Sequence, residues 1–315
     1  MNGKVKVGVI GVGSLGQHHA RILSQMSSCQ LEGIYDLNPQ RALEVARLFK
    51  TQAFTSLDEL IGKIDAATVV VPTDKHYETF LKLSENNIHM LVEKPIASTS
   101  AEAEEMVHIA EKKHIILQVG HVERFNPVMN FLESRLTEPR FMEVTRMAPY
   151  PPQRPEGVPR GTEVSVVLDL MIHDLEIILH VLNSKVKEIH AVGVPVLSST
   201  EDIANVRLVF ENGCVANVTA SRISPERMRK IRVFQSDTYV SLDYMNQSGQ
   251  ICRILGGQVT SEPVPIEKGE PLAEEIKSFI ECVATQSEPV VSGRHASDAL
   301  QLAVAICERM RSHPS

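Results

Sequence analysis

Apolar residues in the first third of the chain gather into short runs, and a stretch with helical spacing follows each run. The runs open the stretch 5–16 and recur at 31–35, 67–71, 89–92 and 115–119. They show little polar alternation, which is how strands read when a parallel sheet buries both of their faces. Helices are predicted between them at 39–48, just after Ser56, at 75–86 and at 100–113. Pro39 suits a first helical turn, and Ser56-x-x-Glu59 has the form of a capping box opening a short helix with Leu57, Leu60 and Ile61. Strand and helix in alternation predict an α/β fold with a doubly wound parallel sheet. Ligands of such sheets sit beyond the carboxyl ends of the strands.

Past Gly120 the pattern changes. A proline-rich segment, 149–159, reads as a surface loop or lid, and a long apolar helix is predicted over 164–182. Between 186 and 266, β-branched runs alternate with the turn signals Glu211-Asn212-Gly213, Gln247-Ser248-Gly249 and Gly256-Gly257. These predict a large, mostly antiparallel sheet in an α+β domain. Two amphipathic helices, near 272–284 and 296–310, close the chain. A hinge over 120–127 divides it into domains 1–121 and 122–315, with no internal repeat.

Composition narrows the class. With 43% hydrophobic and 23% charged residues among 315, the chain has apolar content for two cores and too little charge for a disordered protein. A formal charge of -7 argues against a general nucleic-acid binder. Cys29, Cys214, Cys252, Cys282 and Cys307 are odd in number, scattered and without C-x-x-C spacing, the pattern of reduced thiols. The first strand starts too early to leave room for a signal peptide, and no apolar run approaches the roughly 20 residues of a membrane span. A cytoplasmic protein is expected.

The candidate chemistry begins where the first run breaks into Gly11, Gly13 and Gly16. In G-x-G-x-x-G the first glycine makes the tight turn, the second lets the backbone approach a pyrophosphate, and the third allows close helix–strand packing. Amides around Ser14, Leu15 and Gly16 then face the phosphates at a helix start. Glycine marks ordinary turns too, but the second run ends in Asp36, twenty residues after Gly16, where a carboxylate accepts ribose hydroxyls. Asp36 would repel a 2′-phosphate and Leu37-Asn38 supplies no cation, so NAD is favoured over NADP. Pro72 and Thr73 follow a later strand and are placed beside the cofactor with His76, itself also a natural helix-start residue.

Glu93-Lys94-Pro95 follows another strand end and puts an ammonium group at the crevice mouth, with Pro95 holding Lys94 extended. A surface lysine before a proline would look the same. In the helix over 164–182, Asp169 and His173 lie four residues apart and share a face. Val166, Val167, Leu168, Leu170, Met171, Ile172 and Leu175 cover most of the remaining circumference. A buried carboxylate and imidazole are costly unless paired or facing a polar cavity. The same pairing prepares a base that works near neutrality, although a structural Asp–His hydrogen bond fits the pattern equally. His173, Glu176 and His180 could ligate a metal, but no second cluster accompanies them, and no metal is expected.

Taken in order, G-x-G-x-x-G, Glu93-Lys94-Pro95, Gly120-His121 with Arg124-Phe125-Asn126-Pro127, and Asp169-x-x-x-His173 resemble the glucose-fructose oxidoreductase, inositol dehydrogenase and MocA family (Gfo/Idh/MocA). The resemblance covers the whole chain. It implies an NAD-binding Rossmann domain, then an α+β domain for substrate binding and oligomerisation, and oxidation of a sugar secondary alcohol with NAD. It also implies that Lys94 binds the substrate hydroxyl near the nicotinamide while Asp169 and His173 form the proton-handling pair. His173 would take the hydroxyl proton as hydride leaves the same carbon, with Lys94 stabilising the developing alkoxide; members of the family differ in which of the two takes the proton. Glu93 and His121 match positions lining the crevice, and Arg124 and Asn126 are assigned to the substrate. Homo-oligomers, dimers or tetramers, would form through the open sheet.

The strings around Asp169 and Gly120 further resemble a bacterial branch of the family that oxidises C3 of UDP-N-acetylglucosamine. That branch implies a partner aminotransferase and a 3-amino sugar of lipid A. A UDP-sugar carries a pyrophosphate, and arginine suits phosphate geometry. Arg146, Arg154 and Arg160 flank the proline-rich loop, and Arg222, Arg227, Arg229, Lys230 and Arg232 cluster later in the chain. Arg160 is placed with the substrate residues, although solvated basic residues would give the same pattern. The alternatives are a dehydrogenase of UDP-N-acetylglucosaminuronate or of a free sugar or cyclitol, and a non-catalytic NAD-binding regulatory subunit.

Overall fold

The computed structural model describes residues 3–153, 159, 161–255 and 257–312. Two compact units emerge: one gathers the chain through Val122 with Glu270–Ser297, the other Glu123–Gly269 with the residues from Asp298 on.

The first unit is built from β1 (Val5–Ile10), α1 (Gly16–Gln25), β2 (Cys29–Tyr35), α2 (Pro39–Leu48), β3 (Gln52–Ala53), α3 (Leu57–Ile61), β4 (Ala66–Val69), α4 (His76–Glu85), β5 (His89–Glu93), α5 (Ser100–Lys113) and β6 (Leu117–Gly120). Its strands pair in parallel in the order β3-β2-β1-β4-β5-β6. The order reverses between β1 and β4, which opens a ligand crevice beyond their carboxyl ends. Val7, Val9, Ala66 and Val92 are wholly out of solvent, as strands covered on both faces require. Ser56 caps α3 by accepting the Glu59 N–H at 3.2 Å, but the Glu59 carboxylate takes the Thr55 hydroxyl instead. The complete capping box lies at Thr99 and Glu102, ahead of α5.

The second unit contains α6 (Pro127–Arg135), β7 (Phe141–Met147), α7 (Ile172–Leu182), β8 (Val186–Val194), β9 (Ile203–Phe210), β10 (Val215–Ser221), β11 (Met228–Phe234), β12 (Thr238–Asp243), β13 (Ser248–Leu255) and β14 (Gln258–Pro263). The sheet runs β14-β13-β12-β11-β7-β10-β9-β8, with β7 and β10 parallel and the other neighbours antiparallel. Along β7, Met142, Val144 and Arg146 are buried while the residues between them are half-buried, so one face carries the core. Gly213 at φ +84° and Gln247 at φ +48° sit in two hairpin turns predicted from sequence; of the third, Gly257 has φ +80° and Gly256 lies outside the described residues.

The helix predicted over 164–182 is not uniform. Val167–Met171 forms a π-helical turn, in which the Ile172 N–H donates to the Val167 carbonyl five residues back, and α7 proper starts at Ile172. Such widened turns recur at functional sites, and an apolar periodicity does not announce them.

The closing helices are α8 (Pro271–Thr285) and α9 (Gly293–Ser312). The chain leaves the first unit after Val122 and returns to it at Glu270, so α8 belongs to the first unit. Its stripe of Ile276, Phe279, Ile280 and Val283 joins the core that contains Val5, Val7, Val9 and Leu23. An apolar stripe at that spacing has to be covered, and β1 with α1 covers it. Among the described residues no helix is long and apolar enough to cross a membrane.

Candidate active site

After β1 the chain turns at Gly11, which takes φ +85° and donates its N–H to Tyr35. A Cβ at Gly11 would lie 2.6 Å from the Val70 carbonyl oxygen, and one at Gly16 would collide with the carbonyl of Gly11. The protein itself needs both glycines. Gly13 differs, since it is exposed and nothing lies within 4 Å of where its Cβ would be. That open approach suits a pyrophosphate. α1 starts with no side-chain cap at Leu15 and no acidic residue in its first turn, so no local counter-charge offsets the positive end of its dipole.

Asp36 closes this corner. One carboxylate oxygen accepts the Val12 N–H at 2.7 Å and the other the Asn38 N–H at 2.8 Å. A carboxylate offers about four lone-pair sites, so capacity remains for ribose hydroxyls. These residues fit NAD. Arg41, which the sequence reading missed, donates to the Val12 carbonyl, to Gln17 and to Glu44, each at 2.9 Å. Leu37-Asn38 indeed carries no cation, but a helical side chain leans toward its own N-terminus and brings Arg41 back to the loop. An arginine in the first turn of α2 was the available signal.

β5 delivers Glu93 and a half-buried Lys94, whose bond to Pro95 is cis. Behind this turn, His19 Nε2 lies 3.2 Å from Glu93 Oε1, and the Lys94 N–H donates to Glu93 Oε2 at 3.3 Å. His76 is 1% exposed, with Nδ1 2.9 Å from the Pro95 carbonyl and Nε2 3.0 Å from the Val71 carbonyl. Burial pushes its pKa down, so the neutral ring donates to one carbonyl at a time. His76, placed beside the cofactor by sequence, ties the Lys94 turn to Val71, two residues past β4. Pro72 is exposed and Thr73 half-buried, whereas His121 is fully buried. Glu275 on α8 is a missed residue. It is wholly buried, both carboxylate oxygens lack a hydrogen-bond partner among the described residues, and burial together with the Glu93 charge pushes its pKa well above 4.5.

In the second unit, Asp169 lies in the π turn and His173 in the first turn of α7. Both are half-buried while Val167, Met171 and Ile172 are fully enclosed. The apolar helix therefore leaves its acid and its imidazole on the accessible side. Gly161, at φ +82°, lies against the acid: a Cβ there would come within 2.8 Å of Asp169 Cγ.

The neighbouring charges of α7 are turned inward and neutralised. Arg146 grips Asp174 through two hydrogen bonds of 2.7 and 2.8 Å and reaches Glu123 at 3.2 Å. Burial disfavours the Arg146 charge, but the Asp174 and Glu123 carboxylates outweigh it and push the guanidinium pKa further up. Arg124 donates to Glu176 at 2.7 Å, both buried. Asn126 caps α6 and donates to the Tyr244 carbonyl at 3.0 Å and to Glu123 at 3.2 Å. Of the two residues that the sequence reading assigned to the substrate, Arg124 is thus engaged by one buried acid of α7, Glu176, and Asn126 by Glu123 and the start of α6.

The basic cluster is divided. Arg146 and Arg222 are interior, Arg229 pairs with Glu123 and Arg232 with Glu143, while Arg227 is exposed and Lys230 half-buried. Arg154 and Arg160 lie outside the described residues. Of the weighed metal ligands, Glu176 is engaged by Arg124 and His180 lies 3.0 Å from Glu133. The ion pairs of Asp174, Glu176 and Glu123 escaped sequence reasoning, although acids at 174 and 176 inside so apolar a helix were a signal of buried pairing.

A glycine turn with an open second position, an uncapped helix start and a carboxylate just past β2 together form a dinucleotide-binding corner of the Rossmann type. Residues 5–121 match the oxidoreductase family with an NAD-binding Rossmann fold, and residues 132–240 match the GFO/IDH/MocA C-terminal domain. The chain belongs to the GFO/IDH/MocA family. A UDP-N-acetylglucosamine 3-dehydrogenase of Acidithiobacillus ferrooxidans is 35% identical over 96% of this chain and 97% of its own. A crystal structure of UDP-N-acetylglucosamine 3-dehydrogenase GnnA from that organism superposes with a TM-score of 0.91 over 98% of both chains at 32% identity. A myo-inositol 2-dehydrogenase of Thermotoga maritima is 27% identical over 96% of this chain and 95% of its own.

Proposed function

We propose that the protein oxidises the 3-hydroxyl of UDP-N-acetylglucosamine to a ketone. The observation that carries the chemistry is that Asp169 and His173, four residues apart, are both half-buried, while the acids Asp174 and Glu176 of the same helix are buried against Arg146 and Arg124. The substrate rests on the Acidithiobacillus relative, which is similar over nearly the full length of both chains.

Bound NAD supplies the hydride acceptor. Gly11, Gly13, Ser14, Leu15 and Gly16 hold its pyrophosphate, and Asp36 holds the adenosine ribose. Glu93, kept in place by His19 and by the Lys94 amide, lines the crevice with Pro72 and Thr73. His173 takes the proton of the reacting hydroxyl. Asp169 keeps the imidazole in the receptive tautomer and supports the imidazolium once formed. Lys94 donates a hydrogen bond to the reacting oxygen and stabilises its developing negative charge. The 3-keto product is a substrate for a partner aminotransferase, consistent with supply of a 3-amino sugar for lipid A. A homo-oligomer formed through the open sheet and a cytoplasmic location complete the reading.

The test is NADH formation from NAD with UDP-N-acetylglucosamine, its uronate, glucose and myo-inositol, each with a carbonyl trap. Signal with UDP-N-acetylglucosamine alone, lost in Lys94→Ala while NAD binding persists, is the expected result. Signal from myo-inositol or the uronate instead overturns the substrate, and full activity of Lys94→Ala overturns the site.

A further inference from the structure

We infer that Arg222 is a positioning residue that sets the Asp169 carboxylate through the main chain at Gly161. Arg222 follows β10 directly and is 2% exposed. A guanidinium has five N–H groups in a fixed fork, and here each finds an acceptor. Nε donates to Asp202 Oδ1 at 2.8 Å, Nη1 to the carbonyls of Gly161 at 2.6 Å and Val164 at 2.8 Å, and Nη2 to the hydroxyls of Ser198 at 2.9 Å and Thr200 at 2.7 Å.

Its anionic partner is fixed as firmly. Asp202 Oδ2 accepts the N–H groups of Val196, Leu197 and Ser198 at 2.8, 2.6 and 2.9 Å, and the Ser198 hydroxyl donates to Oδ1. Burial would raise the Asp202 pKa, but the hydrogen bonds from Ser198, Arg222 and the amides hold it well below the usual carboxylate range. The pair is thus a charged, fully bonded anchor inside the second unit.

What the anchor holds is the segment that leads into the π turn. Thr200 Oγ1 reaches the Thr162 and Val164 carbonyls at 3.1 and 2.9 Å, and the Val166 N–H donates to Glu201 at 2.9 Å. Gly161 therefore has little freedom to move, and the Asp169 carboxylate packs directly on it, closely enough that a Cβ would displace that carboxylate. Buried ion pairs seldom add net stability over apolar packing. This one fixes main-chain carbonyls that an apolar side chain could not hold, and lysine, a point charge with three donors, cannot reproduce the fork.

The inference rests on the reading of Asp169 and His173 as the proton-handling pair. Its test follows the His173 ring nitrogens by NMR in histidine-15N-labelled protein, with the signal assigned by its loss in His173→Gln. The separation of the two nitrogen shifts reports the tautomer. Asp169→Asn, Arg222→Lys and Gly161→Ala are expected to move that separation in the same direction, toward the averaged value of free imidazole. Arg222→Lys combined with Asp169→Asn should move it no further than Asp169→Asn alone, as two steps of one path require. With UDP-N-acetylglucosamine, kcat should fall by about 10²-fold in Arg222→Lys, with KM for NAD unchanged.

Gly161→Ala retains both charges of the Arg222–Asp202 pair and carries the test if Arg222→Lys does not fold. A wild-type tautomer signature in the Gly161 and Arg222 variants, with Asp169→Asn altered, overturns the inference. An unchanged signature in Asp169→Asn overturns the pairing of Asp169 with His173, and the inference with it.

Discussion

The two units hold their candidate functional groups by opposite means. The first presents main chain: a turn in which Gly11 and Gly16 are required by backbone oxygens of the protein itself, and Gly13 stands open. The second presents side chains, Asp169 and His173, on a helix whose remaining acids are buried against Arg124 and Arg146. Backbone binding needs only the right local conformation and room for the ligand. Side-chain chemistry on an apolar helix needs every other charge of that helix compensated, since an unpaired buried carboxylate is far costlier than an unpaired amide.

The largest effect is expected from removing that compensation. Arg146→Ala leaves Asp174 and Glu123 buried without their shared cation and should cost about 3–5 kcal/mol in a urea unfolding titration. A loss near that of an exposed arginine would mean that the acids find other partners and that the contrast is overstated.

The glycine turn can be dissected within itself. Gly16→Ala overpacks the turn and should lose about 1–3 kcal/mol of stability, together with NAD binding. Gly13→Ala should unfold within about 0.5 kcal/mol of wild type. Its Kd for NAD should nevertheless rise about tenfold, ~1.4 kcal/mol. Calorimetric titration beside thermal melts separates the two, and equal stability losses in both variants would remove Gly13 from the phosphate site.

The smallest effect concerns the acid hidden in the first unit. Burial, then the Glu93 charge, raises the Glu275 pKa above its ordinary 4.5. The folded state thus holds this proton more tightly than the unfolded chain. The stability it contributes is complete below pH 4.5 and is lost as pH rises through the folded pKa. Glu275→Gln lacks this dependence, so its melting temperature should match wild type near about pH 5 and exceed it increasingly toward about pH 9. A pH-independent difference would mean that Glu275 titrates normally.

Most of the first unit was legible in the chain. Unbroken apolar runs, helices between them and glycines at one strand end are local patterns, and a parallel sheet buried on both faces converts them directly into a fold. The placement of Asp36 and Lys94 after strand ends, and of Asp169 and His173 four residues apart on one apolar helical stretch, was legible too, because spacing along a strand end or a helix face survives folding. Less local features were not. Nothing around Ile276, Phe279 and Ile280 says which unit their stripe will cover, and Glu275 vanishes among them. Arg222 looked like one more member of a basic cluster, and Arg124 and Asn126 gave no sign of Glu176 and Tyr244 as their partners.

The sequence by itself determined the alternation of elements, the glycine turn, the carboxylate at Asp36 and the spacing of Asp169 and His173. These depend on backbone conformation and on neighbours a few positions away. Only the tertiary structure decided which charges serve the interior. It buried Arg146, Arg124 and Arg222 with acids distant in sequence, returned α8 to the first core, and widened the turn that carries Asp169. The physical reason is that desolvation and charge pairing act through space, and a charge acquires its partner only when the chain has brought the two together.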